Sequence, residues 1–567
     1  MGRTCTSTSA SLRRLIALSL VITLLGGALR FYRLSNQSLW TDEVSSIEVA
    51  RAPLGEIYHQ SAVWNNSLPT YFLFLRSILG QAQRDVEFRA RSLSAVAGTL
   101  SIPVFIGLVY LWRRAMGVAL MAGLLLAINP LHIWYSQEVR AYAVMLFFGL
   151  LAMLFFELGR TRLSRSADSL VGAAIPGNAL ARRAAAVLPA NATGSIHAGK
   201  MPALPGGPWS LLYIIAALIA MALHKTGVAF PLACIVWQAW QTGDGSWKLK
   251  VESWKLKGEL GWTLLVNAPI LIAAITLLAL KSYPPPGEFG RRFSGLEIPY
   301  SFMTFVGGYS FGPSLTDIQW HGPVVAVLRH WPQVAIAALV LGLLAIVCAL
   351  NVGRPPRPSP LNPQPAEISS DDLRTRTRAI DVKGQELILL ACGLGLVTIY
   401  TLLSQFPFNV RYALPALFGF LSLTAALTAA ARRGPLSRAA LFLTVIVSLW
   451  ADAQWFYSWS YRKGDSRAVA QWLVKNADHV KSWTVLPGYL NHSIEWYLRD
   501  DPQIRSQALP AKQERTTSFP PVPDALIIGR RHHLLEPDKL IAAYRAAAGD
   551  VHELRDFAGF ELSVKQK

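Results

Sequence analysis

The sequence predicts a polytopic α-helical membrane protein with about eleven transmembrane helices and a small C-terminal α/β domain outside the membrane. Three observations predict it. Of the 567 residues, 52% are hydrophobic and only 16% charged, where a water-soluble chain carries nearer a quarter. The apolar residues gather into runs that approach or exceed the roughly 18–20 residues needed to cross a bilayer. The basic residues fall between those runs, mostly in alternate loops, which is the positive-inside signature.

The formal net charge is +20. A nucleic-acid binder would concentrate such charge on one patch. Here it is distributed through alternate loops and reports topology, so no nucleic-acid partner is expected. Four cysteines occur, Cys5, Cys234, Cys348 and Cys392, with no CxxC pair and none in the polar C-terminal region. That suggests neither a disulfide framework nor a zinc site.

The elements follow in order. Arg13 and Arg14 place the N-terminus inside, so a first helix over about residues 15–31 runs outward and is read as uncleaved. Residues 32–91 form a long outer loop, within which Pro69–Leu79 is apolar but too short to span and is expected to lie at the interface. Helix 2 covers about 93–112 and ends inside at Arg113-Arg114, and helix 3 covers about 116–133. Helix 4 covers about 139–158 and returns to an inner loop with Arg160, Arg162, Arg165, Arg182, Arg183 and Lys200. Helices 5 and 6 share Leu211–Trp240, split outside by His224-Lys225-Thr226-Gly227. Helix 7 ends near Lys281, and a second outer loop follows to about Gly322. Helices 8 to 11 cover about 334–350, 387–403, 411–431 and 440–455. Every strongly basic inter-helix loop then falls inside, and a one-helix error would spoil that agreement downstream. These helices make a membrane domain over 1–457. Residues 458–567 change character. Ser466–Lys475, Ile494–Leu498 and Asp538–Ala547 read as helices, Trp483–Leu486 and Asp524–Gly529 as strands, and Glu553–Val564 as a strand pair turning at Gly559. That alternation predicts a small α/β domain with a lid or docking role.

Asp42-Glu43, after Trp40, is the most informative pair. A half-buried carboxylate there is suited to general-base work, while Thr41-Asp42-Glu43 also reads as the start of a helix. Glu138 and Arg140 stand at the expected outer start of helix 4, where free N–H groups, the helix dipole and a forked guanidinium suit a phosphate. They suit headgroup contact and dipole compensation equally well. Arg89, Arg91, Lys225 and Arg411 are further outer-face cations able to meet lipid headgroups or a bound phosphate. His224 is a candidate metal ligand, with no second histidine at suitable spacing.

The stretches Leu39-Trp40-Thr41-Asp42-Glu43, Asn65-Asn66-Ser67-Leu68-Pro69-Thr70-Tyr71-Phe72, Arg89-Ala90-Arg91-Ser92-Leu93 and Asn129-Pro130-Leu131-His132 through Ser136-Gln137-Glu138-Val139-Arg140-Ala141-Tyr142, in that order, resemble the bacterial GT-C glycosyltransferases. That superfamily includes glycosyltransferase family 39, with the protein O-mannosyltransferases, and the lipid A aminoarabinose transferases. The resemblance is strongest over about residues 15–158, looser to about 455, and general in the tail. It implies a GT-C fold in the plasma membrane with a cytoplasmic N-terminus and an extracytoplasmic C-terminal domain. The implied activity is inverting transfer of a sugar from a polyprenyl-phosphate donor to an acceptor hydroxyl of a protein, lipid or glycan. Asp42 would be the base, with Glu43 beside it. Arg140, Arg91, Arg89, Lys225 and Arg411 would bind the donor phosphate, and Glu138, Gln137, Tyr71, Tyr142 and Asn65 the substrate. Relatives often carry Asp-x-x-Pro-Pro or His-Pro-Pro where this chain has Asn65-Asn66-Ser67-Leu68-Pro69. The carboxylate or imidazole used there is missing. A metal or second acidic role at that loop is therefore not implied; no cofactor is certain from the sequence, and a divalent metal ion stays open, with Glu138 and His224 as its candidate ligands. A transporter or flippase of a lipid-linked sugar is the alternative, although such proteins place their polar groups near the midplane.

Overall fold

The computed structural model describes residues 3–64, 68–80, 84–174, 208–242, 266–276, 295–313, 322–351, 370–404, 408–430, 434–509, 521–529, 534 and 536–566. Among them, seven helices are long and apolar enough to cross a membrane: Leu12–Phe31, Val86–Arg113, Tyr142–Thr161, Trp331–Leu350, Gly384–Leu403, Val410–Thr428 and Pro435–Tyr457. The protein is a polytopic helical membrane protein with a small extramembrane sheet domain. The first helix shows most of its apolar side chains outward, among them Leu20, Val21 and Leu24. That is the surface lipid tails would cover.

Helix 3 departs from the expected continuous span. It is two pieces, Met116–Ala127 and Pro130–Ser136, bent by 57°. Pro130 opens the second piece, where its missing N–H costs nothing, and Asn129 caps it by accepting from the His132 amide. The break strands the last carbonyls of the first piece. The buried Arg30 guanidinium answers them, donating to Leu126 and Ala127 oxygens, both at 3.0 Å. Helix 2 also differs: it starts at Val86, two turns before the expected Leu93, so Arg89 and Arg91 lie within it. Helix 4 starts later, at Tyr142. Glu138–Arg140 is a turn between helices, not a helix start.

The break between helices 5 and 6 falls where the sequence placed it. Pro208–Leu223 and Ala229–Thr242 flank a single 3-10 turn, Lys225–Val228. Each piece is short for a straight crossing. Of helix 7, Val266–Thr276 is described. The long loop after the first helix is itself helical, with Thr41–Arg51, Leu54–Trp64 and Thr70–Leu79.

The C-terminal sheet has strands β1 (Trp483–Leu486), β2 (Ala525–Gly529), β3 (Val551–Phe557) and β4 (Phe560–Lys565), in the order β1-β2-β4-β3. β1 and β2 are parallel and the other pairs antiparallel. The β3–β4 hairpin turns through Gly559, whose φ of 71° suits glycine. Alternate residues serve opposite faces. Trp483, Val485, Ala525 and Ile527 pack under helices Ser466–Lys475 and Asn491–Tyr497. Leu486, Leu526 and Ile528 pack against Leu540, Ile541 and Tyr544 of Pro537–Ala548. β2 is therefore buried on both faces.

Candidate active site

The site forms where the loop after the first helix, the turn after Ser136 and the start of the C-terminal domain meet. Trp40 leads into helix Thr41–Arg51, which puts Asp42 and Glu43 in its first turn, where the dipole favours negative charge. The two carboxylates then diverge. Glu43 points inward and is fully buried. Arg91 meets it with a two-pronged bond, Nε to Oε1 at 2.9 Å and Nη2 to Oε2 at 2.8 Å. The Val139 amide donates to Oε1 at 3.0 Å and the Trp40 amide to Oε2 at 3.4 Å. Burial by itself would raise the Glu43 carboxyl, but Arg91, Lys463 and these bonds outweigh it and hold it at about 2.

Arg91 is equally committed. Its five N–H donors serve Glu43 twice and the carbonyls of Leu34, Gln37 and Ser38. No donor is left for a phosphate. It is the clasp that closes the chain from Leu34 to Glu43 onto helix Val86–Arg113. Gln137 is likewise spent within the protein. Its amide N donates to the Arg30 and Tyr32 carbonyls at 3.0 and 2.9 Å, and its oxygen accepts from Trp455 Nε1 at 2.8 Å.

Asp42 has the opposite setting. Its carboxylate is 36% exposed and lies 4.0 Å from Arg140. Arg140 also reaches Ser46 Oγ at 3.4 Å. Burial disfavours the charged Arg140, yet Asp42, Tyr142 and Glu138 together outweigh that and raise it. His224 shows how other cations converge here. Burial first, then the charges of Arg411, Arg140 and Lys225, hold its imidazole down at about 3, so it is neutral. His224 stacks on Tyr412 at 5.7 Å and lies 5.0 Å from the Tyr142 ring, while Arg411 lies over Tyr412 at 5.0 Å. Tyr71 is buried against Phe72. Arg89 is exposed in the first turn of its helix. Asn65 lies outside the described residues.

Glu138 is buried, and burial raises its carboxyl against the pull of Lys463. Among the described residues, no three His, Cys, Asp or Glu side chains come together as a group that could hold a metal ion. Glu138 takes a lysine as its partner and His224 Nδ1 accepts from the Thr226 amide.

Lys463 is the residue the sequence concealed. Its Nζ lies 3.5 Å from Glu43 Oε2 and 3.4 Å from Glu138 Oε1. Trp40 and Trp134 present their rings to it, each at 5.9 Å. Nothing in Tyr461-Arg462-Lys463-Gly464 marks it as such, because its partners lie hundreds of residues away in the chain.

Fold and site define a polytopic membrane protein with a charged site between its first loop and its extramembrane domain. No family model matches the chain, and no curated protein does. Among solved structures it is similar to ArnT from Cupriavidus metallidurans in the apo state, at 13% identity and a TM-score of 0.37, over 99% of this chain and 98% of that one. It is similar to the same protein bound to undecaprenyl phosphate, at 13% identity and a TM-score of 0.34, over 98% of each chain. It is also similar to the oligosaccharyltransferase AglB from Archaeoglobus fulgidus, solved with an inhibitory peptide and a dolichol-phosphate. There the identity is 11% and the TM-score 0.44, over 98% of this chain and 74% of that one.

Proposed function

We propose that the protein is an inverting glycosyltransferase that moves a sugar from a polyprenyl-phosphate donor to an acceptor hydroxyl. The reading places the membrane domain at 1–457 in the plasma membrane, its N-terminus in the cytoplasm and the domain at 458–567 outside. The observation that carries it is the juxtaposition of a half-exposed carboxylate, Asp42, with Arg140 at 4.0 Å and within the field of Arg411, two of the cations that surround His224. One group takes a proton and the others hold an anion.

The chemistry balances as follows. The acceptor O–H gives its proton to the Asp42 carboxylate as its oxygen attacks the anomeric carbon. The bond from that carbon to the phosphate oxygen breaks, and its electron pair leaves with the polyprenyl phosphate. The leaving group is a stable anion, so it needs charge stabilisation and not a general acid. Arg140, Arg411 and Lys225 supply that. Arg91 drops out of the donor-binding set, because its donors are all bound to protein. Glu43 serves as an anchor for the helix that presents Asp42, since both of its oxygens are occupied. The acceptor class stays open among protein, lipid and glycan.

Asp42→Asn tests the reading. Its carboxylate holds little of the fold, so the variant should melt like the parent and lose about 10²–10⁴-fold in transfer from a labelled polyprenyl-phosphate sugar. Full activity in Asp42→Asn would rule out the base assignment.

A further inference from the structure

We infer that Lys463 is a positioning residue for the Asp42 site, and that through it the C-terminal domain orders the catalytic loop. The inference rests on the reading of Asp42 as the base, but its geometry stands independently. The Lys463 side chain is only 7% exposed and lies between two buried carboxylates, 3.5 Å from Glu43 and 3.4 Å from Glu138. Glu43 shares its charge with Arg91. Glu138 has Lys463 as its ion-pair partner, with Arg140 and Asp42 adding their fields. Without the ammonium, the Glu43–Arg91–Glu138 group carries a net negative charge in a buried setting. Glu138 must then take up a proton or move towards water. Glu43 also accepts from the Val139 amide, so such a movement pulls on the first turn of the helix that presents Asp42.

The surrounding contacts show that Lys463 reports domain docking. Its own amide donates to Gln37 Oε1 at 3.1 Å. Two residues on, Asp465 accepts from Ser38 Oγ at 2.7 Å while capping helix Ser466–Lys475. Tyr497 accepts from the Leu39 amide at 2.7 Å and donates to Glu87 at 2.5 Å, and Arg467 pairs with Glu87. The loop segment 37–43 is thus held on one side by Arg91 and on the other by the C-terminal domain. Lys463 is the contact that reaches the carboxylates themselves.

The test uses the full chain in lipid nanodiscs, with Lys463→Met, Lys463→Arg and the double variant Glu138→Gln/Lys463→Met. Hydrogen exchange is read on peptides covering 37–48 and 136–142. Lys463→Met should speed exchange there about tenfold or more. Lys463→Arg should restore protection. The double variant should also restore it, because the uncompensated charge is gone. Unchanged exchange in Lys463→Met overturns the inference, as does a double variant no better protected than the single one.

A kinetic arm uses a panel of radiolabelled polyprenyl-phosphate sugars. Lys463→Met should lower kcat about 10–100-fold with KM little changed. Lys463→Arg, which keeps the cation between Glu43 and Glu138, should bring kcat back towards the parent value. A change confined to KM counts against the inference. If the parent chain transfers no sugar from any donor, the proposed function fails, and the exchange measurements alone decide the role of Lys463.

Discussion

Arg91 and Arg140 are alike in sequence: both are basic, both flank apolar helices, both lie on one side of the protein. Their hydrogen bonds separate them. Arg91 spends five donors on one carboxylate and three carbonyls, whereas Arg140 keeps side-chain exposure of 23% beside Asp42. Removing one partner of a buried pair leaves the other uncompensated, so Arg91→Met should cost about 3–5 kcal/mol. It should show as loss of monodisperse protein in detergent. Arg140→Met should leave the melting temperature within a degree or two and raise KM for the donor. The pH sign for Glu43 is definite. Its carboxyl sits at about 2 in the folded state against 4.5 ordinarily. Its stabilisation, on the order of 3 kcal/mol, is complete above about pH 4.5 and is lost as pH falls towards 2. Glu43→Gln should therefore flatten the acid side of the stability curve, measured by melting between pH 3 and 7. The acidic pair was legible in the sequence as a feature. Which member faces inward was not, because adjacent residues on a helix point about 100° apart and only packing chooses between them.

At the scale of elements, the broken helix explains much of the site. Pro130 turns Met116–Ala127 into Pro130–Ser136, and the turn that follows brings Gln137–Arg140 over the loop. Gly98 lets helix Val86–Arg113 approach the second piece, since a Cβ there would collide with the Ser136 side chain. Gly98→Val should cost about 1–3 kcal/mol by overpacking, read as a lowered melting temperature. The docking of helix Asn491–Tyr497 on Thr41–Arg51 has its own pH signature. His492 Nε2 lies 2.8 Å from Glu48, and that bond first, against partial burial, raises the imidazole. The contribution is present below about pH 6.5 and fades as pH rises through the higher folded value. Protection at 45–50, corrected for the intrinsic rise of amide exchange with pH, should fall between pH 6 and 8 in the parent and stay level in His492→Ala.

For the molecule as a whole, the basic loops and the apolar runs predict a single topology. A tag after Lys567 and one at Arg182 should report on opposite sides of the membrane, read by protease protection in vesicles. Both tags on one side would refute the eleven-helix count. The strands and helices of the C-terminal domain were legible almost residue for residue, down to the turn at Gly559, because period-2 alternation and turn chemistry are local. The long helices were legible for the same reason, since bilayer thickness is a length the chain must match. The bend in helix 3 was less so: Asn129-Pro130 signals a cap, but the counterweight to the freed carbonyls is Arg30, nearly a hundred residues earlier.

The sequence by itself determined the class of protein, the order of its main elements and an acidic pair in the loop after the first helix. Only the tertiary structure decided which charges are spent and which are open. Lys463 reaches Glu138 across 325 residues of chain, and Arg91 reaches Glu43 across 48. Hydrophobic periodicity is a property of neighbours in sequence. The pairing of buried charges is settled by which side chains share a low-dielectric space after folding, and no local pattern records it.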